Sequence, residues 1–304
     1  MYTILSTLRA TLSSTGYDSR EVRSIVLLLL EEVASMNRTE ALLAYSDSLA
    51  PHTPERGALS RPLSIQEKEQ WEAIIEGLKK GCPVQQVLGY EWFYGRQFRV
   101  TPDVLIPRPE TAELVDWILS TPLPTPTTPH LLDIGTGSGC IAISLAAALP
   151  EAQVIGLDIS DAALSVATDN ATRLEIENVS WCLEDILRCA SQHQNPLPAG
   201  HKVDLIVSNP PYIRNSERNE MSARVLDHEP HTALFVTDSD PLIFYRAVAE
   251  VGNDILNSGG WIYFELNAAL SKETVTLMQQ MGYIDIELRR DIADRERMLR
   301  CRKR

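Results

Sequence analysis

The sequence predicts an α/β protein in which a parallel sheet is covered by helices on both faces, preceded by a small helical domain. Three observations predict it. From about residue 130, short apolar runs alternate with helix-length segments, the signature of βαβ units. Up to about Lys80 the chain reads instead as amphipathic helix. A length of 304 residues accommodates one large domain and a smaller one.

Taken in order, Asp18-Ser19-Arg20-Glu21 and Ser64-Ile65-Gln66-Glu67 have the form of capping boxes that open helices. Val22, Ile25, Val26 and Leu29 mark one helix face. The Pro-rich stretch Pro51 to Pro62 separates helical segments, and residues 1–82 are expected to form a recognition domain. Between Val84 and Ile106 aromatic and β-branched residues punctuated by Gly89 and Gly95 predict a β-hairpin, making 83–108 a linker. Pro109, with Glu110 and Glu113 in the first turn, opens a helix whose Leu114, Val115 and Ile118 face the core, so the main domain spans 109–304. After the loop Thr121 to Pro129, strands are expected at Leu131–Ile134, Val154–Leu157, Val179–Cys182 and Val203–Val207. Ligands of such a sheet gather at the carboxyl ends of its strands.

With 44% hydrophobic and 23% charged residues, the composition is that of an ordinary globular protein. A net charge of -13 argues against general nucleic-acid binding, which relies on clustered Lys and Arg. The five cysteines are scattered, without a Cys-x-x-Cys pair, and read as reduced thiols. His228 and His231 read as loop histidines, and no metal is assigned. No secretory signal is apparent, and the apolar run Ile25 to Leu30 is far too short to span a bilayer. A cytoplasmic protein without membrane contact is expected.

Asp133-Ile134-Gly135-Thr136-Gly137-Ser138-Gly139 joins a predicted strand to a helix beginning near Cys140, and its glycines let the backbone approach a ligand closely. Their spacing is not Gly-x-Gly-x-x-Gly, and no Lys-Ser or Lys-Thr follows, so a pyrophosphate is not the obvious ligand. The plainer reading is a tight structural turn. Asp158 ends the second strand, where a carboxylate accepts ribose hydroxyls or, alternatively, caps the helix at Ser160-Asp161. Asp133 has an electrostatic or hydrogen-bonding role open to it toward the amino-acid part of S-adenosylmethionine (AdoMet), whose ammonium and sulfonium are cationic. Asp185, after the third strand, suits the adenine amino group with Ile186 against the ring, or is a solvated loop acid.

Ser208-Asn209-Pro210-Pro211-Tyr212 directly follows the fourth strand. An amide or aromatic amine nitrogen is a poor nucleophile because its lone pair is delocalised, so catalysis must favour the state in which that pair is localised. The side-chain oxygen of Asn209 and the carbonyl of Pro210 suit the two N–H bonds of an NH2 group. Pro210 and Pro211 have fixed φ and donate nothing, while Tyr212 is placed to stack on a planar acceptor. The reaction so described is an in-line displacement at a sulfonium methyl without a covalent enzyme intermediate. The bland alternative is a Pro-rich turn after a strand.

Together, Gly135 to Gly139 and Asn209-Pro210-Pro211-Tyr212 resemble the class I AdoMet-dependent methyltransferases that modify amino nitrogens, including DNA adenine and protein glutamine enzymes. Pro83 to Gly89, Phe93-Tyr94-Gly95, Val104 to Thr111 and Glu229-Pro230-His231-Thr232-Ala233-Leu234 resemble the HemK/PrmC family of release factor glutamine methyltransferases, a likeness running from about Pro83 to the carboxyl terminus. It implies a Rossmann-like sheet, methylation of the glutamine in the Gly-Gly-Gln loop of peptide chain release factors, and S-adenosylhomocysteine as product. It also implies that Gly135, Thr136, Gly137, Ser138, Gly139 and Asp158 bind AdoMet, bordered by Asn209, with Arg108, Glu110 and Thr111 lining the entrance. Asn209, Pro210, Pro211 and Tyr212 then receive the glutamine, and Asn209, Pro210 and Tyr212 carry the chemistry. A monomer is expected. Two residues depart from the family pattern: Ala112 stands where Glu is usual, and Ile186 where some members carry an aromatic residue. The competing functional classes are a nucleic-acid adenine methyltransferase, a non-enzymatic AdoMet-binding regulator and a nicotinamide dehydrogenase.

Overall fold

The computed structural model describes residues 1–49, 63–122, 127–198 and 200–304. The stretch Pro51–Pro62 and the middle of the Thr121–Pro129 loop, both singled out above, lie outside them. The chain divides into two compact units, Met1–Leu88 and Gly89–Arg304.

The first unit is helical: α1 (Tyr2–Ser14), α2 (Ser19–Glu32), α3 (Arg38–Asp47), α4 (Ile65–Lys79) and α5 (Val84–Leu88). Both anticipated capping boxes form, at Asp18 with Glu21 and at Ser64 with Glu67. A third, Asn37 with Glu40, opens α3. Each cap stabilises its helix by about 1 kcal/mol, which a short helix needs because its first turn is costly to nucleate. Val22, Ile25, Val26 and Leu29 are buried, as their spacing requires, with Leu5, Leu8, Trp71 and Leu78.

The β structure expected from Val84 begins later. Val84–Leu88 is helical despite its β-branched residues, because packing overrides a weak local propensity. Val87 N–H donates to Pro83 O at 3.1 Å, Val84 is buried, and Val87 seats on Gly77, where an added Cβ would lie 2.9 Å from Val87 Cγ2.

In the second unit β1 (Tyr90–Phe93) and β2 (Arg96–Arg99) form the expected antiparallel hairpin. Its two loop residues, Tyr94 and Gly95, both have positive φ, 48° and 74°, the backbone that lets a two-residue turn match strand twist. Phe93 and Phe98 are buried edge to face at 5.9 Å. Then follow α6 (Pro109–Leu119), β3 (His130–Ile134), α7 (Cys140–Ala148), β4 (Gln153–Asp158), α8 (Asp161–Arg173), β5 (Val179–Leu183), α9 (Ile186–Ser191) and β6 (Val203–Ser208). The remaining elements are β7 (Ile213–Arg214), α10 (Ala223–His228), β8 (Phe235–Val236), α11 (Ile243–Ile255), β9 (Leu256–Glu265), α12 (Ser271–Gln280), β10 (Ile284–Arg290) and β11 (Glu296–Arg302).

A seven-stranded sheet runs in the order β10-β11-β9-β6-β3-β4-β5. The run β9-β6-β3-β4-β5 is parallel, and β11 lies antiparallel to both neighbours. The four anticipated strands are β3 to β6. Leu131, Leu205 and Val207 pack on one face against α6 and α7, while Leu132, Ile134, Ile206 and Phe264 pack on the other against α9, α11 and α12. Helix α7 is buried from Cys140 to Ala146. Between strand and helix, Trp181 fills the space that two glycines leave: an added Cβ would lie 2.4 Å from its ring at Gly156 and 3.0 Å at Gly139.

Asn170 of α8, fully buried, ties the hairpin to the glycine loop. It accepts from Arg99 N at 2.6 Å and donates to Arg99 O at 3.1 Å and Ser138 O at 2.9 Å. Asn170→Ala removes partners from three backbone groups, that of Ser138 buried and the two of Arg99 part-buried, and should cost about 2 kcal/mol, read as a lower denaturant midpoint at unchanged slope. A midpoint equal to wild type would show that water substitutes for the amide.

Candidate active site

Strands β3 and β6 pair in parallel with Asp133 opposite Val207 and Ile134 opposite Ser208, so the glycine loop and the Asn-Pro-Pro-Tyr segment leave the sheet side by side. Ser208 Oγ donates to Ile134 O at 2.7 Å, locking the two strand ends together. This is where the chain reverses its direction of travel across the sheet, the place where such folds open a crevice. A cavity of about 370 Å³ lies there.

The glycine loop folds back on β4: Gly135 and Thr136 N–H donate to Leu157 O at 2.8 and 3.0 Å. Gly137, at φ 55°, donates its N–H to Asp158 Oδ2 at 2.9 Å, and Asp158 Oδ1 accepts from Ser160 N at 3.0 Å. Burial pushes the Asp158 carboxyl above its ordinary range, opposed by these backbone donors. Asp185 caps α9, accepting from Leu187 N at 2.9 Å, and Ile186 is buried beside it.

Asn209 Nδ2 donates to Thr111 Oγ1 at 3.2 Å, and Thr111 Oγ1 donates to Glu265 Oε2 at 2.6 Å. Tyr212 O–H donates to Glu265 Oε1 at 3.1 Å, and the Arg297 guanidinium lies 5.9 Å from the Tyr212 ring centre. Glu265 is 2% exposed, and burial raises its pKa against the hydrogen bonds from Thr111 and Tyr212.

Of the residues singled out in the sequence, the cavity gathers Thr111, Gly135, Thr136, Gly137, Ser138, Asp158, Asp185, Ile186, Asn209, Pro210 and Pro211. Asp133, Gly139, Arg108, Glu110 and Tyr212 stand outside its lining. Asp133 is fully buried behind the loop, where Oδ2 accepts from Thr136 Oγ1 at 2.7 Å and from Ala142 N at 3.2 Å. Arg108 pairs with the buried carboxylate of Glu229 at 2.5 Å, and Glu229 also accepts from Ile106 N at 3.2 Å. Glu110 faces Arg295 at 3.9 Å.

Sequence reasoning missed Asp103 and Glu184 in the lining, the Glu229 brace and Glu265. Glu184 adjoins Asp185, and Glu265 ends the apolar run Trp261 to Phe264 as Asp133 nearly ends its own, signals that acid-at-strand-end logic would have caught. Among the described residues the lining holds Asp103, Asp158, Glu184 and Asp185 and no Lys or Arg. That charge suits a cationic ligand and opposes a pyrophosphate. Burial pushes the Cys140 thiol in the wall up to about 12, so it stays protonated and is no nucleophile.

A model described as a methyltransferase domain matches residues 128–289. A release factor glutamine methyltransferase of Flavobacterium psychrophilum is 39% identical over 288 residues, 93% of each chain. That of Bacteroides thetaiotaomicron is 46% identical over 237 residues, 78% of this chain and 82% of its own. That of Bacillus subtilis is 35% identical over 278 residues, 89% and 92% respectively.

Asp133 Oδ1 is buried without a hydrogen-bond partner, and burial raises its carboxyl to about 7. The folded chain therefore holds this proton more tightly than the unfolded chain. Its contribution to stability is complete below the ordinary carboxylate range and is lost as pH rises through about 7. Asp133→Asn should flatten the fall in melting temperature between pH about 4 and about 7. Parallel melting curves for the two proteins would refute the assignment.

Proposed function

This chain belongs to the release factor glutamine methyltransferases, and we propose that it moves a methyl group from AdoMet to the side-chain amide nitrogen (N5) of glutamine in the Gly-Gly-Gln loop of peptide chain release factors. The observation that carries this reading is that Asn209, Pro210 and Pro211 line one cavity with the glycine loop.

AdoMet supplies an electrophilic methyl group on a cationic sulfur. The acidic lining fits that charge, and the site's polar groups divide between holding the nucleoside and holding the acceptor. Gly135 to Gly139 let the backbone approach the nucleoside closely, Asp158 accepts from ribose hydroxyls, and Asp185 accepts from the adenine amino group with Ile186 against the ring. Asp133 acts from behind through Thr136. Arg108 and Glu110 serve the wall indirectly, Arg108 by bracing the loop before α6 against Glu229.

Asn209 Oδ1 and the Pro210 carbonyl accept the two N–H bonds of the glutamine amide. Acceptors on both hydrogens oppose delocalisation into the carbonyl and aim the nitrogen lone pair, stabilisation that grows as the bond forms. Pro210 and Pro211 keep both acceptors still. Tyr212, expected from the sequence to stack on the acceptor, stands outside the cavity lining and instead anchors the end of the segment through its hydroxyl on Glu265. Positioning of this kind accounts for much of the rate without a covalent enzyme intermediate.

Incubation with methyl-labelled AdoMet and a release factor should label the Gly-Gly-Gln glutamine, and peptide mapping locates the label. Asn209→Ala should lower kcat roughly a hundredfold, the scale of losing one oriented hydrogen-bonding group in an active site, while AdoMet affinity by calorimetry changes little. Label on DNA rather than on the release factor would overturn the substrate assignment.

A further inference from the structure

Glu265 lies at the end of β9, 154 residues from Thr111, yet its carboxylate takes two protons in hydrogen bonds, one on each oxygen. A carboxylate only accepts, so the Thr111 hydroxyl must donate to it. A hydroxyl has one proton to give. With that proton committed to Glu265 at 2.6 Å, Thr111 Oγ1 offers Asn209 only a lone pair. The Asn209 carboxamide has one donor end and one acceptor end, so only Nδ2 satisfies the 3.2 Å contact. Turning the amide over would set two lone-pair oxygens against each other in a part-buried place, at the cost of an unmade hydrogen bond.

We propose that Glu265 is a positioning residue that fixes the polarity of this chain of hydrogen bonds, so that Asn209 keeps its carboxamide oxygen free for the acceptor. The inference rests on the reading that Asn209 receives the glutamine amide. It adds a residue that touches neither substrate nor cavity: Glu265 sets which end of Asn209 does the receiving. Arg297 supports the negative charge, because its guanidinium is held by Leu266 O at 2.9 Å and by Asp291 beside the Tyr212 ring. The Tyr245 hydroxyl bonds the Glu265 backbone carbonyl at 3.2 Å, fixing the main chain from which the carboxylate projects.

Glu265→Gln keeps the shape and introduces a donor where only acceptors belong. Thr111→Val keeps the shape and removes the middle link. Each should lower kcat roughly tenfold, the worth of one hydrogen bond, with AdoMet affinity within about threefold on the same scale. The double variant should be no slower than the slower single variant, because a relay is cut only once. Thr111→Ser should recover most of what Thr111→Val loses. Independently of any substrate, the Asn209 side-chain amide hydrogens, followed by nitrogen-edited NMR, should exchange with water faster in Glu265→Gln and Thr111→Val than in wild type.

Losses that multiply in the double variant, or wild-type kcat in Glu265→Gln, would overturn the relay. Unchanged amide exchange would do so too. If Glu265→Gln does not fold, Thr111→Val and Thr111→Ser decide the question alone. A wild-type enzyme that labels no release factor would sink the substrate reading instead, and the exchange measurement would still test the relay.

Discussion

Strands β3 and β6 run side by side in one direction, and the parallel register between them constrains the rest of the site. Ile134 opposite Ser208 fixes where each chain leaves the sheet, and the Ser208 hydroxyl on Ile134 O fixes how. The glycine loop and the Asn-Pro-Pro-Tyr segment, 70 residues apart in sequence when counted from Gly139 to Asn209, are thereby neighbours. A slip by one residue would reverse which side chains face α7 and which face α11, and would part the Ser208 hydroxyl from Ile134 O.

Negative charge is concentrated on this edge at some expense. Asp133, Asp158 and Glu265 are all raised by burial, so the fold would lose less by protonating them than by leaving them ionised without partners. Backbone N–H groups of Gly137 and Ser160 answer Asp158, and two hydroxyls answer Glu265. The carboxylates are thus held by donors within the protein. Those donors favour the ionised form against burial, at the cavity wall in the one case and behind Thr111 in the other.

What was legible in the sequence was local. Strands β3 to β6 announce themselves by apolar runs between helix-length segments, the boxes at Asp18 and Ser64 by a three-residue spacing, and the loops by Gly and Pro. Illegible parts join distant residues: Glu265 to Thr111, Glu229 to Arg108, Asn170 to Arg99. No period or spacing encodes a partner 121 or 154 residues away. Strands β9 to β11 escaped because Ser258-Gly259-Gly260 interrupts the first and charged residues interleave the other two, of which β10 is the edge strand. Val84–Leu88 misled because its β-branched residues obey the Gly77 cleft rather than their own preference.

The Trp181 ring, wedged where Gly139 and Gly156 have no side chains, bears on how such a sequence can drift. Any side chain at position 156 meets the indole at less than van der Waals distance, and one at 139 meets it together with Ile143 and Ala167. A narrower residue must therefore arrive at 181 before 156 can accept even a methyl group, whereas the reverse order passes through a misfit. Even then Thr136 Oγ1 would lie 2.8 Å from that methyl group, and position 139, at φ 78°, would stay a glycine whatever residue stands at 181, so the indole is the first of several pieces that have to yield.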